Sequence, residues 1–173
     1  LSAAPQIKAA TGATIAIGAH IDAVQATFAD LFNAPDVSRS GAEFDMLLAD
    51  GDRFNVGELV FEVLHTPGHT QACVSYKVGD AVFVGDTLFM PDYGTARCDF
   101  PGGSAATMYD SVQKILALPD ATRIFVGHDY KAEDREQFAW ESTVAEQRTQ
   151  NIHVLQGTTR EDFIKLRNER DAR

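Results

Sequence analysis

The chain has 173 residues, enough for one domain with a sizeable core, and its 45% hydrophobic and 23% charged residues are ordinary for a globular protein. A formal net charge of -10 argues against nucleic acid as a partner and against docking on an anionic membrane, because both need a basic surface. No apolar run reaches the roughly 18 residues of a membrane span. Two cysteines are too few for a disulfide framework, which favours a reducing compartment, the cytoplasm.

The first third of the sequence predicts a strand, a helix and the start of a sheet. Residues 13–17 are a short apolar run typical of a buried strand. Residues 20–33 predict an amphipathic helix, because apolar side chains recur at helical spacing: Ile21, Val24, Phe28, Leu31 and Phe32. The spacing of the apolar side chains then changes from that of a helix to every second residue, which is typical of strands. A turn is predicted at 50–52, and residues 59–64 alternate as a strand.

The rest of the sequence predicts one hairpin and then helices that alternate with a strand. The hairpin joins residues 73–78 to residues 81–84 through a Gly-Asp turn. Phe138 and Trp140 are expected to pack on one of the later helices. The later elements are a helix over 104–117 with Ser104 as its N-cap, a strand over 123–126, and helices over 134–150 and 159–170. The pattern predicts a layered α/β fold in a single domain over residues 1–173.

Three predicted strands end in a glycine-bearing turn next to a side chain that can bind a metal. VLHTPGHT contributes His69, VFVGDTLF contributes Asp86 and IFVGHDY contributes His128. A strand held in the core fixes the position of its end, and a glycine lets the backbone approach an ion. Imidazole and carboxylate ligands suit Zn(II), Fe(II) or Mn(II). Each residue alone is better explained as a turn residue or a cap. Taken together, the three residues are explained equally well by one shared metal site and by three unrelated turns.

The segments HTPGHT, VGDTLF and GHDY, in this order and spacing, resemble the metallo-β-lactamase superfamily. The run DGDRFNVGELVFEVLHTPGHT also resembles it, so the likeness covers most of residues 40–130. It implies an αββα sandwich in which His69, Asp86 and His128 are ligands of a one- or two-metal centre. The superfamily's first motif, His-x-His-x-Asp-His, is not in this sequence. We therefore expect that the chain is a fragment without its N-terminal strands and that it binds metal weakly or not at all by itself.

The segment after Asp86 is similar to the persulfide dioxygenase branch of that superfamily. The branch pattern Gly-x-x-Arg-x-Asp-Phe is matched by Gly94, Arg97, Asp99 and Phe100. STVAEQRTQN, at 142–151, is similar to the same branch, and the resemblance extends to bacterial β-lactamase hydrolase-like proteins, which belong with this branch. The resemblance implies a dioxygenase that uses Fe(II) and O2 to oxidise glutathione persulfide, or a similar small persulfide, to sulfite.

The resemblance also implies which residues would hold the iron. His69 and Asp86 would be two of its three ligands, and the third would be a histidine of the absent motif. His128 would lie close by as a spectator or a hydrogen-bonding group. Two histidines and one aspartate leave three positions on the iron open, enough for O2 and a thiol-derived substrate.

Three further residues are candidates for contacting or positioning the substrate. The resemblance implies that Arg97 and Tyr130 contact the substrate and that Asp99 orients a ligand histidine. An ordinary ion pair within the loop explains Arg97 and Asp99 equally well, and half-buried packing explains Tyr130. His153 and the long stretch at 129–141 depart from the pattern of the branch, which leaves the thiol carrier open.

Two other functions stay open. The first is a zinc hydrolase of glyoxalase II or lactamase type, in which Asp86 is shared by two metals and His128 is an essential ligand. The second is a binding or regulatory module without catalysis. Apart from the metal ligands no catalytic side chain is predicted, and a homodimer is possible. The other histidines, His20 and His65, are predicted to be structural, and Cys98 to be a tolerated small residue.

Overall fold

The structure, a computed structural model, describes residues 2–36 and 38–172. In this part of the chain two sheets and five helices build a mixed α/β fold, as predicted. The elements follow the order α1 Ala4–Thr11, β1 Ala16–Gly18, α2 Ile21–Leu31, β2 Met46–Leu48, β3 Arg53–Val56, β4 Leu59–His65, β5 Val74–Val78, β6 Ala81–Phe83, α3 Ala105–Leu116, β7 Arg123–Phe125, β8 Glu141–Thr143, α4 Val144–Gln150 and α5 Arg160–Asp171.

The larger sheet brings the loops after three of its strands to one edge. Its six strands lie side by side in sequence order, β3 to β8, while β1 and β2 pair in parallel as a separate sheet. β4 and β6 both run antiparallel to β5 between them, and β7 runs parallel to β6. The carboxyl ends of β4, β6 and β7 therefore share an edge, and each predicted metal-binding side chain lies in the loop that follows one of them.

Helix α3 connects β6 to β7 and closes the core against the larger sheet. Ser104 caps it as predicted, because its hydroxyl accepts a hydrogen bond from the Thr107 N–H at 3.2 Å. The core between the sheet, α3 and α5 contains side chains with no exposed surface, among them Val82, Met108, Val112, Ile115, Ile124 and Phe163. Close packing of this kind resists deformation, so the strand ends have fixed positions.

The helix predicted over 134–150 is wrong in its first half. Residues 134–140 are irregular, and α4 begins only at Val144, after a capping box formed by Thr143 and Glu146. Strand β8 lies in between because its backbone pairs with β7 at the edge of the sheet. Phe138 and Trp140, expected to pack on a helix, are instead 67% and 63% exposed.

Helix α1 has no counterpart among the predicted elements. The other predicted helices and strands agree with the structure to within three residues at each end. Within residues 2–36 and 38–172, no helix has the length and apolar character needed to cross a membrane.

Candidate metal centre

The loop that carries His69 joins β4 to β5 and is fastened to α3 at two points. The Gly68 carbonyl accepts a hydrogen bond from the Ser104 N–H at 2.8 Å. The Pro67 carbonyl accepts one from the Ser111 hydroxyl at 2.6 Å. Both donors belong to the helix or its cap, so the helix fixes the height of the loop above the sheet. His69 directly follows Gly68, so these two hydrogen bonds also fix the position of its backbone.

One hydrogen bond determines which nitrogen of His69 is free. Its Nδ1 lies 2.8 Å from the backbone carbonyl oxygen of Arg97. A carbonyl can only accept, so Nδ1 carries the proton and donates it. The Nε2 lone pair is left free and lies 4.0 Å from Asp86 Oδ2. Phe100 packs edge-on against the ring, with 4.8 Å between centroids. Metal-binding histidines are typically oriented by such a bond from the second nitrogen.

Asp86 and His128 lie side by side because they follow two neighbouring parallel strands. The Gly127 N–H reaches the Gly85 carbonyl at 3.4 Å, which keeps the two loops together beyond the strand ends. The Nε2 of His128 lies 3.2 Å from Asp86 Oδ1 without hydrogen-bond geometry. Asp86 Oδ1 is buried and has no hydrogen-bond partner in the described part of the chain. A buried carboxylate oxygen left in this way requires a cation or a donor.

These three side chains fit a metal ion in both their chemistry and their placement. His69 Nε2 lies 4.0 Å from one Asp86 oxygen, and His128 Nε2 lies 3.2 Å from the other. Imidazole nitrogen and carboxylate oxygen suit Fe(II) and Zn(II). Among residues 2–36 and 38–172, no group of three or more His, Cys, Asp or Glu side chains is arranged as a complete metal site. The structure therefore brings the predicted ligands together as part of a site, and their role as ligands stays a prediction.

A cavity of about 470 Å³ opens onto His69 and Asp86. Its volume is within the range of small-molecule sites. His128 does not line it. The cavity is lined by aromatic and by polar side chains. The aromatic ones are Phe89, Tyr93, Phe100 and Tyr130, and the polar ones include Arg97, His153, Arg167 and Arg170.

The sequence model of the metallo-beta-lactamase superfamily matches residues 1–128. The chain belongs to the metallo-β-lactamase superfamily. The resemblance inferred from the three motifs is thereby confirmed, together with the fold class.

Three members of the superfamily indicate the range of its relatives. A beta-lactamase hydrolase-like protein of Agrobacterium fabrum is 54% identical over 170 residues, which are 98% of this chain and 39% of that protein. The mitochondrial persulfide dioxygenase ETHE1 of Homo sapiens is 37% identical over 130 residues, 73% of this chain and 47% of that protein. The crystal structure of ETHE1 from Myxococcus xanthus matches with a TM-score of 0.77 and 32% identity, over 99% of this chain and 64% of that one. The chain thus spans between 39% and 64% of these proteins.

The loop at 94–100 positions His69 through a backbone group. The group on His69 Nδ1 is the backbone carbonyl of Arg97, and the role of Asp99 in orienting a ligand histidine stays a prediction. The Asp99 carboxylate pairs with the Arg97 guanidinium through two hydrogen bonds. That guanidinium lowers the pKa of the Asp99 carboxyl below its ordinary value. The ion pair braces the loop, so Asp99 is linked to His69 through Arg97.

Tyr130 lies on the cavity wall, where a substrate contact was predicted. Its ring stacks on Tyr93 with 4.9 Å between centroids and meets Phe89 edge-on at 5.2 Å. It remains 55% exposed, so packing against Tyr93 and Phe89 leaves more than half of its surface free.

Two cavity residues, His153 and Arg167, were not predicted as site residues. His153 is 2% exposed and lies between α4 and α5, two residues after the 142–151 segment, and from the sequence it stood out only as a departure from the branch pattern. Burial, with the charges of Arg167 and Arg170, lowers its pKa to about 3, so the ring is neutral near pH 7. Arg167 lies four residues after the buried Phe163 on the same face of α5. A charged residue at a core position of a helix was the signal available in the sequence.

Other residues considered from the sequence are structural. Cys98 is 7% exposed, and burial raises the pKa of its thiol to about 12, so it does not supply a thiolate. His65 Nε2 contacts the Gln71 carbonyl oxygen at 2.8 Å, and its ring packs on His20 at 4.7 Å.

The long loop after His128 is held by one arginine. The Arg135 guanidinium donates to Asp92 and to Asp129, each at 2.6 Å. Asp129 also accepts from the backbone N–H of Ala139, which closes the loop on itself. The Asp129 side chain is only 7% exposed, so its charge depends on this pairing. The clamp links the loop that carries His128 to the loop after Asp86.

Replacing Arg135 by glutamine should loosen this loop. The substitution leaves the buried Asp129 carboxylate without its cation, and we expect a loss of about 2 kcal/mol in the free energy of unfolding. Amide hydrogen exchange over residues 129–139 should become faster. The matched control is Arg123→Gln, which breaks an exposed pair with Glu141 and should have little effect. Equal effects of the two substitutions in urea denaturation would contradict the clamp.

Proposed function

We propose that the protein acts as an Fe(II)-dependent persulfide dioxygenase, which oxidises glutathione persulfide or a similar small persulfide with O2 to sulfite. One observation carries the proposal: His69 and Asp86, the two residues expected to hold a single iron, both line the cavity, whereas His128 is not among its lining residues although its Nε2 lies 3.2 Å from Asp86 Oδ1. A centre that needs only one metal uses that pair, whereas a two-metal centre also needs His128 at the reacting space. The likeness to the persulfide dioxygenase ETHE1 supports the same choice.

In this proposal the metal supplies the oxidation chemistry, and the protein residues hold the metal and position the substrate. Fe(II) held by two histidines and one carboxylate has room for O2 and a thiolate together. His69 and Asp86 would be two of those ligands. The Arg97 carbonyl keeps the His69 Nε2 lone pair turned toward Asp86. The aromatic side chains around Tyr130 offer an apolar surface to the substrate, and Arg170 adds a positive charge to the same cavity in a chain of net charge -10.

Oxygen consumption by the full-length protein tests the proposal. The protein is loaded with Fe(II) and mixed with glutathione persulfide, and O2 uptake and sulfite are measured together. We expect both, with one O2 consumed for each sulfite formed. Uptake no faster than in the protein-free mixture, with iron bound, would reject the dioxygenase.

A zinc hydrolase of a thioester or lactam is the alternative, and one contact favours it. The Asp86 carboxylate has one oxygen toward His69 and the other toward His128, an arrangement that suits a carboxylate shared by two metals. Two zinc ions per chain, and turnover of an acyl-glutathione by the zinc-loaded protein, would support this alternative.

Replacing His128 by alanine distinguishes the two functions. In a one-metal dioxygenase His128 is not a ligand, so persulfide oxidation should fall by less than about tenfold. In a two-metal hydrolase the same change removes a ligand and should abolish turnover. The His128 side chain is 56% exposed, so the fold should tolerate the change. Loss of bound iron in His128→Ala, measured by elemental analysis, would contradict the one-metal assignment.

A further inference from the structure

A row of aromatic rings leads from the candidate metal centre to the surface of helix α2. Phe100 meets the His69 ring edge-on, with 4.8 Å between centroids. The Phe100 ring also lies 6.3 Å from the ring of Phe28, and Phe28 stacks on Phe32 at 5.8 Å. The three phenylalanine rings thus form a continuous row that starts at a predicted metal ligand.

The fold leaves the outer part of this row uncovered. Among the residues of α2, all of which the structure describes, Ala29 alone is buried. Phe32, directly after the helix, is 69% exposed, Leu31 is 59% exposed and Phe100 is 36% exposed. Single apolar side chains are normal on a protein surface, but adjoining ones form a patch of the kind that binds a ligand or a partner. We call Phe28, Leu31, Phe32 and Phe100 the apolar shelf.

The apolar shelf is an extension of the cavity, which indicates what covers it. Phe100 belongs to both, because it lines the cavity and its ring contacts Phe28. His69 lines the same cavity and packs against the same Phe100 ring. A molecule that is held at His69 and is longer than the cavity can therefore continue past Phe100 onto Phe28 and Phe32.

The charges beside the apolar shelf are already paired within the chain. The Arg97 guanidinium lies 5.6 Å from the centre of the Phe100 ring, but it forms an ion pair with Asp99. On α2, Asp30 pairs with Arg39 at 2.6 Å. An ionic group laid on this surface would lose water without gaining a free partner, which costs free energy. The surface therefore complements an uncharged apolar group.

We propose that the apolar shelf binds the carbon skeleton of the substrate, and that the substrate class is the persulfide of a thiol with an uncharged apolar chain or ring. The inference rests on the proposed function for the sulfur end of the ligand alone. In this arrangement the sulfur lies toward His69 and Asp86, and the carbon skeleton passes Phe100 and covers Phe28 and Phe32. A thiol with a short carbon chain ends inside the cavity and leaves the apolar shelf in water.

Two uncharged thiols test the proposal by binding alone. 2-Mercaptoethanol and 6-mercapto-1-hexanol have the same two functional groups and differ by four methylene groups. Each methylene group that is fully buried strengthens binding about fourfold. Calorimetric titration of the iron-loaded, full-length protein without O2 should therefore show the longer thiol binding at least about tenfold more tightly. Equal affinity of the two thiols, or no binding of the longer one, overturns the proposal.

A substitution on the apolar shelf shows where the preference arises. In Phe32→Ser the longer thiol should bind about three- to tenfold more weakly, while the affinity for 2-mercaptoethanol stays unchanged. The matched control is Phe138→Ser, because Phe138 is 67% exposed and is not among the residues that line the cavity. The control should change neither affinity. A preference that survives Phe32→Ser in full arises inside the cavity, or the apolar shelf is covered by another part of the full-length protein or by a second copy. Either result rejects the proposal.

The outcomes also separate the apolar shelf from the proposed function. O2 uptake with glutathione persulfide, without a preference for the longer thiol, would reject the apolar shelf and leave the dioxygenase standing. A preference that Phe32→Ser removes, without O2 uptake with any persulfide by the iron-loaded protein, would reject the dioxygenase and leave the apolar shelf as a binding site.

Discussion

Replacing Asp86 by asparagine should remove metal binding and activity while the fold persists. Asp86 lies between His69 and His128, with one carboxylate oxygen near each ring. Loss of a group that merely orients a ligand costs about 10–100-fold in metal affinity or activity, so loss of a charged ligand should exceed a hundredfold. Metal content by elemental analysis and the rate of O2 uptake by the full-length protein measure the two effects.

Asp86→Asn should remove metal binding without destabilising the metal-free protein. The Asp86 side chain is 35% exposed, but its Oδ1 atom is buried without a hydrogen-bond partner in the described part of the chain, so the neutral amide breaks no bond there. The amide can also donate to His128 Nε2. We therefore expect Asp86→Asn to unfold in urea at the same concentration as the unsubstituted protein or a higher one.

An exposed aspartate serves as the control for that substitution. Asp80 lies in the turn between β5 and β6, away from the cavity. Asp80→Asn makes the same chemical change and should leave metal content and activity unaltered. A retained metal stoichiometry in Asp86→Asn, equal to that of Asp80→Asn, would refute the role of Asp86 as a ligand.

The placement of His69, Asp86 and His128 could be predicted because each follows a strand with a strong apolar pattern. Local sequence fixes where such strands end, and the pairing order of β4 to β7 brings those ends to one edge. The helix over 134–150 could not be predicted correctly, since the pairing of β8 with β7 depends on a neighbour about 20 residues earlier in the chain. Tertiary pairing overrides local propensity in such segments.

The arrangement of His153 and Arg167 beside each other could not be predicted, for a different reason. His153 and Arg167 are held together by hydrogen bonds to the backbone of Thr95, which lies 58 and 72 residues earlier in the chain. No spacing rule joins three residues on a loop, a turn and a helix. The contact that orients His69 could not be predicted either, because it is made by a backbone carbonyl and any residue at position 97 carries one. Backbone contacts of this kind leave no trace in side-chain identity.

Replacing Gly68 by alanine should give the largest loss of stability of any single methyl addition considered. Gly68 has a φ of +145, a conformation that other residues rarely adopt. A Cβ there would lie 2.5 Å from the Cα and 2.8 Å from the nitrogen of Met108, inside helix α3. Backbone atoms cannot rotate away as a flexible side chain can, so either the loop or the helix must move. Strain and overpacking together should cost about 4 kcal/mol in the free energy of unfolding.

The same displacement should disable the metal centre. His69 follows Gly68 directly, and the Gly68 carbonyl accepts the Ser104 N–H that anchors the loop. The matched control is Gly57→Ala, in the turn between β3 and β4, where φ is +60 and a Cβ meets nothing within 4 Å. The control should cost about 1 kcal/mol, the ordinary penalty of the left-handed region. Urea denaturation of the metal-free proteins measures both, and metal content reports on His69. If Gly68→Ala is no less stable than Gly57→Ala, α3 does not hold the loop as tightly as the contacts indicate, and the rigidity ascribed to this side of the site is wrong.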